Sequence, residues 1–252
     1  METETYVPFC GMPPMPDELL TRWTLDPLLL SGLAFAFGAI LWMANGTALR
    51  RGVMGWALVA ILFVSPLCAL SMALFSARVG QHLLLTLVAA PLLAQMWRSH
   101  VPPTSISALV FAALFWLWHA AEPYAWTLQS DLAYWAMHLS LLGSAISLWA
   151  GLQERLVKRP FECTIVLAAT AAQMTMLSVL LVFAPTAWHG WHEAAALSWG
   201  LSGMADQTLA GAIMWVAGGL LMFAAVLVLS RRFVSEAWTD NAVSHPASPS
   251  TR

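Results

Sequence analysis

Seven stretches of this chain are apolar for long enough to cross a bilayer, and no other feature limits its fold so strongly. A segment in hydrocarbon has no water to satisfy its backbone, so outside a closed barrel it must be helical, and about 20 residues cross the ~30 Å core. The stretches run roughly Leu28–Ala44, Val53–Phe75, Gly80–Trp97, Ser105–Ala120, Leu132–Leu152, Glu162–Ala184 and Asp206–Leu229. Charged residues make up 10% of the chain, against about 25% in soluble domains. The expected fold class is therefore all-α, a polytopic membrane protein of seven transmembrane helices. Residues 1–27 form a polar, proline-rich lead, 28–230 the helical domain, and 231–252 a Ser/Pro-rich tail expected to be disordered. The lead carries Glu2, Glu4, Asp17 and Glu18 rather than a basic start. We therefore expect no cleaved signal peptide.

Basic residues set the orientation. Arg50, Arg51, Arg98, Arg155, Lys158, Arg159, Arg231 and Arg232 fall in connections that alternate onto one side. The other side holds only Arg22 and Arg78, with Glu122, Asp131, Glu193 and most of the acidic lead. This split predicts an N-terminus outside and a C-terminus inside. Tryptophans gather near both sets of span ends: Trp42, Trp56, Trp97 and Trp149 at one, Trp116, Trp118, Trp126, Trp135, Trp188, Trp191 and Trp199 at the other. Their ordinary role is anchoring at headgroup depth.

With that topology, five of the seven histidines share the outer leaflet. His82 lies in the first turn of span three, His119 closes span four, and His138 sits about two turns, some ~9 Å, into span five. His189 and His192 occupy the loop before span seven, and Asp206 opens that span. His100 and His245 fall on the cytoplasmic side. A lone membrane histidine ordinarily bonds a neighbouring helix, and the two loop histidines have an ordinary place among headgroups. The combination of His82, His138 and Asp206 asks for more. Ionisable groups in lipid face the bundle interior and need partners, and one shared ion would serve all three.

Imidazoles suit copper, zinc and iron, while thioethers and thiols favour Cu(I). Cys10, Met12 and Met15 in the lead, and Met204 beside Asp206, are candidate accessory ligands with His189 and His192. A Cys10–Cys68 disulfide would need both residues on an oxidising side, and we rank it below Cys10 as a soft ligand. Methionine is otherwise packing material. Gly211 and Gly218, seven apart, are expected on one close-packed face of span seven, and Pro66 and Pro91 are expected to kink spans two and three.

Several motifs carry a resemblance. Asp206-Gln207-Thr208-Leu209-Ala210-Gly211-Ala212-Ile213-Met214-Trp215 resembles the DQxLAGxIMW signature of the CtaG family of cytochrome c oxidase assembly factors. Gln81-His82-Leu83-Leu84-Leu85 with Ala90-Pro91-Leu92-Leu93 is similar to that family's QHLLL…PPLL segment. Trp118-His119 with Pro123 and Tyr124, and His138-Leu139-Ser140, resemble its WH…P and HLSFL elements. The resemblance implies help in building a haem–copper oxidase in a bacterial inner membrane, with copper handled by His82, His119, His138 and Asp206. It also implies an oxidase subunit and a periplasmic copper chaperone as partners, with membrane lipid and no nucleic acid. Arg78 stands where a histidine is expected one turn before His82, and Met137 where an acidic residue often precedes the span-five histidine.

No Ser/His/Asp or Cys/His catalytic set can be assembled, so a non-enzymatic role is expected. The alternative is a haem-binding electron carrier using two of the three span histidines as axial ligands. A retinal-type protein is disfavoured because span seven has no lysine for a Schiff base. A transporter would show interrupted helices in matching halves, and none is legible.

Overall fold

The computed structural model describes residues 6–96 and 101–244, and among these every regular element is helical. Trp97, Arg98, His100 and His245, which entered the reading of topology, lie outside the described residues. Helix α1 (Pro27–Met43) begins where the Asp26 carboxylate accepts Leu29 N–H at 2.9 Å and Pro27 fills the first turn, the position that costs proline no hydrogen bond. Helix α2 (Gly46–Val64) packs against it.

The second predicted span does not continue through Pro66. Ser65 is extended (ψ 170°) and caps a separate eight-residue helix, α3 (Pro66–Ala73), through its hydroxyl. The residue before a proline is pushed out of the helical region, so the chain breaks where a kink was expected. Leu74 is extended too, and α4 (Phe75–Leu84) starts five residues before the predicted edge at Gly80.

From Phe75 a 22-residue helical rod runs to Met96. It comprises α4, a π-helical turn Leu85–Ala89, α5 (Ala90–Leu93) and a 3₁₀ turn Ala94–Met96. Pro91 explains the π turn, because its missing N–H and its ring prevent regular bonding to the preceding turn. The Trp149 indole donates to the Thr86 carbonyl at 2.8 Å, and Gln153 donates to Pro91 O at 2.9 Å. Trp149 and Trp118 are thus buried clamps between helices, with Trp118 donating to Ser140 Oγ at 2.9 Å, and not membrane anchors.

Helix α6 (Thr104–His119) bends by 78° into α7 (Ala121–Thr127). Then come α8 (Asp131–Arg155), α9 (Pro160–Phe183), a loop with α10 (Glu193–Leu197), and α11 (Gly203–Ser244). The last helix continues past Leu229 into the segment expected to be disordered, where residues 230–244 contain neither proline nor glycine. Among the described residues five helices are long and apolar enough to cross a membrane, six if α6 and α7 form one broken span. The remaining expected crossing, the first in the chain, is α1, an apolar helix of 17 residues.

One end of the bundle is held by arginines. Arg51 donates to Gln95, and Arg155 donates to Val101 O and Pro102 O at 2.8 Å. The opposite end gathers α3, α7, α10 and the described part of the lead. Gly11, at φ +83°, turns that lead so that Cys10 is joined to Cys68 by a disulfide. Cys10 is therefore not a free ligand here.

Gly211 and Gly218 of α11 do different work. A Cβ on Gly211 would stand 2.7 Å from Val182 Cγ2 and 2.9 Å from the Ser178 carbonyl, while one on Gly218 would meet Leu83 at 3.4 Å and Met174 at 3.9 Å, ordinary contacts. Ser178 Oγ also donates to Gly211 O at 2.6 Å. Gly211→Ala is expected to cost about 1–3 kcal/mol through overpacking, whereas Gly218→Ala should be near neutral. Thermal unfolding of both variants in detergent checks the contrast.

Candidate functional site

Depth comes first. His82 is seven residues into α4 (82 − 75) and His138 seven into α8 (138 − 131). Both helices enter from the same end, so the two rings sit two turns down, at a common level. His82 was expected in the first turn; the earlier start of α4 sinks it. His119 ends α6, but the turn into α7 covers it, and all three residues are 1% exposed.

The three rings meet. His82 lies 5.4 Å from His119 and 5.3 Å from His138 between ring centres, edge to face at 81° and 71°. His119 Nδ1 donates to Phe115 O at 2.7 Å, and His138 Nδ1 to Tyr134 O at 2.9 Å. A carbonyl only accepts, so both imidazoles carry their proton on Nδ1 and present a bare Nε2. Those two Nε2 atoms and both nitrogens of His82 are buried without a hydrogen-bond partner. Ligand imidazoles are commonly fixed this way, with the far nitrogen tied to a carbonyl. As the rings stand, no three His, Cys, Asp or Glu side chains among the described residues are arranged to grip one ion. His82 is the member whose ring no hydrogen bond fixes. The triad is walled by Phe63, Phe115 and Tyr134, with ring centres at 4.9, 4.3 and 4.3 Å from a histidine. A groove of about 410 Å³ between α1, α2 and α8 reaches His138, bordered by Gly32, Phe63 and Trp135.

Asp206 is buried, as a carboxylate opening an apolar helix must be, but it does not join the histidines. Its oxygens accept Phe75 N–H at 2.6 Å and Ser76 N–H at 3.1 Å, together with the Ser76 hydroxyl. It caps the N-terminus of α4 from across the bundle, answering donors that Leu74 cannot satisfy. The predicted four-residue cluster is thus three histidines, with the aspartate holding the helix that carries one of them. Beside it Gln207 accepts Trp188 N–H at 2.6 Å and donates to Leu181 O at 3.2 Å.

Arg78, noted in the sequence for standing one turn before His82, was not expected to be buried. It had been placed in an outer connection, yet it is 0% exposed within α4, one turn before His82. Its Nη2 points at Met72 Sδ (3.1 Å), its guanidinium lies 5.2 Å from the Tyr134 ring centre, and Nε and Nη1 make no hydrogen bond. The four-residue spacing to His82 was the available signal.

Neither loop histidine lies at the surface. His189 stacks on Phe75 at 3.9 Å, and His192 Nε2 bonds Tyr124 Oη at 2.7 Å. Burial, then His119, pushes His189 down to about 3; burial, then Arg78 and His189, does the same to His192. The unfolded loop binds more protons, so this stabilisation is complete above about pH 6.5 and is lost as pH falls towards 3. At pH 5 the loss is on the order of 2 kcal/mol per histidine. Amide-exchange protection factors over residues 184–202, corrected for the intrinsic pH dependence of exchange, should fall between pH 7 and 5. Of the remaining candidates, Met12 and Met15 are 49% exposed, and Met204 borders a shallow surface pocket with Thr208 and Leu209.

A sequence model of the cytochrome c oxidase caa3 assembly factor family (Caa3_CtaG) matches residues 52–236. The chain belongs to that family. The match spans all three histidines, Arg78 and Asp206, and leaves out α1 and the lead with Cys10, Met12 and Met15. No protein of curated function and no solved structure matches the chain. Membership in this assembly-factor family accords with the absence of a legible catalytic set in the sequence.

Proposed function

We propose that this family member crosses a bacterial inner membrane seven times, N-terminus outside, and holds Cu(I) at the extracytoplasmic end on His82, His119 and His138. It then supports insertion of copper into a caa3-type oxidase subunit. The observation that carries this reading is the set of buried, unpartnered imidazole nitrogens from three helices, two of them pre-oriented through Nδ1. Three neutral nitrogens without a carboxylate suit a soft monovalent cation, and rotation of the unfixed His82 ring is the adjustment that binding requires. The groove that reaches His138 supports lateral transfer, since a partner's helix could approach the triad at its own depth. A periplasmic chaperone would supply the ion.

The haem alternative needs a porphyrin plane between two imidazoles. His82 instead touches both other rings edge-on, so copper remains the favoured ligand. Metal analysis of the purified protein with and without reductant tests the proposal, together with the copper content of the oxidase from a strain lacking the gene. We expect copper retained under reductant and an oxidase poor in copper. Protein that stays metal-free when offered cuprous ion would refute the proposal.

A further inference from the structure

The buried charges near the triad are few. Asp206 supplies a negative charge, but its oxygens are engaged by the first turn of α4, two turns from the rings. The ion pairs among the described residues are Arg22–Glu18 and Arg159–Glu162, so Arg78 forms none. Its guanidinium is fully buried, carries two unpartnered nitrogens, and leans on the Tyr134 ring. Tyr134 in turn lies 4.3 Å from His138 and bonds its Nδ1 through the backbone. On its own helix Arg78 is the i−4 neighbour of His82, where side chains sit about 5–6 Å apart at Cβ. Any ion held by the three rings would lie within roughly 10 Å of a fixed positive charge that cannot be deprotonated.

We propose that Arg78 is the charge-selecting residue of this site, biasing the histidine triad towards a monovalent soft cation and against divalent ions. The inference rests on the copper reading above. Three neutral imidazoles alone make a serviceable site for Zn(II) and Cu(II) as well as Cu(I). Coulomb repulsion scales with the charge of the incoming ion. At ~10 Å and an effective dielectric constant of about 20 it weakens binding on the order of tenfold for each positive charge the ion carries. A divalent ion bears that factor twice and a monovalent ion once. Selection of Cu(I) here requires no cysteine, which fits a site whose nearest cysteines, Cys10 and Cys68, are joined to each other. It also leaves Cu(I) held less tightly than by the same imidazoles without the cation, as suits a site that gives its ion away.

The test compares the detergent-purified full chain with Arg78→Gln and Arg78→Lys, titrated with Cu(I) under reductant, with Ag(I), and with Zn(II). Wild type is expected to bind both monovalent ions and to discriminate against Zn(II). Arg78→Gln should bind all three more tightly, with the Zn(II)-to-Cu(I) affinity ratio raised about tenfold. Arg78→Lys, which keeps the charge, should hold the wild-type ratio. An unchanged ratio in Arg78→Gln overturns the proposal while leaving the copper reading intact. If that variant does not fold, the wild type still decides: Zn(II) binding as tight as Ag(I) overturns it. A wild type that binds neither Cu(I) nor Ag(I) overturns both.

Discussion

Asp206→Ala is expected to cost about 3–5 kcal/mol of stability, the range for stripping the partner from buried, fully engaged polar groups. The loss has a specific origin. Phe75 N–H, Ser76 N–H and the Ser76 hydroxyl would be left buried without an acceptor, at the first turn of the helix that carries Arg78 and His82. Asp206→Asn retains one amide oxygen and should recover part of the loss. Thermal unfolding in detergent gives the magnitude, and amide exchange at residues 75–78 gives the location. Copper bound per folded molecule should stay near the wild-type value, because Asp206 contacts none of the three rings. Wild-type stability with copper lost would make Asp206 a ligand after all.

Alanine at His82, at His119 or at His138 should each weaken Cu(I) binding by at least about a hundredfold, since even outer-shell changes cost 10–100-fold. Paired replacements should cost less than the sum of the singles, as expected of residues that act as one unit. Competition with a chromophoric Cu(I) chelator under reductant measures this. Alanine at Met12, Met15 or Met204 should leave the affinity nearly unchanged, because these side chains sit at the surface away from the rings. Wild-type affinity in all three histidine variants would exclude the triad as the copper site.

Much of this was written in linear order. Apolar runs gave most of the long apolar helices to within a few residues, because hydrocarbon leaves a backbone little choice but the helix. The depth of His138 followed from counting residues at a fixed rise. The burial of Asp206 followed from the cost of a carboxylate in lipid. The break at Ser65-Pro66 was legible as a disturbance, although a kink was expected and a separate helix resulted.

What the sequence by itself determined was which stretches become helical, and depth along a helix wherever its edge is legible, as for His138 in α8; α4 begins five residues before its expected edge, so the depth of His82 came only from the structure. What the tertiary structure alone decided was which way each helix is turned and which polar groups become neighbours. That is why the three histidines lie together while Asp206, expected among them, turns away to cap α4. It is also why Arg78, expected in an outer connection, lies buried beside His82: a helix's rotation is set by packing against the others.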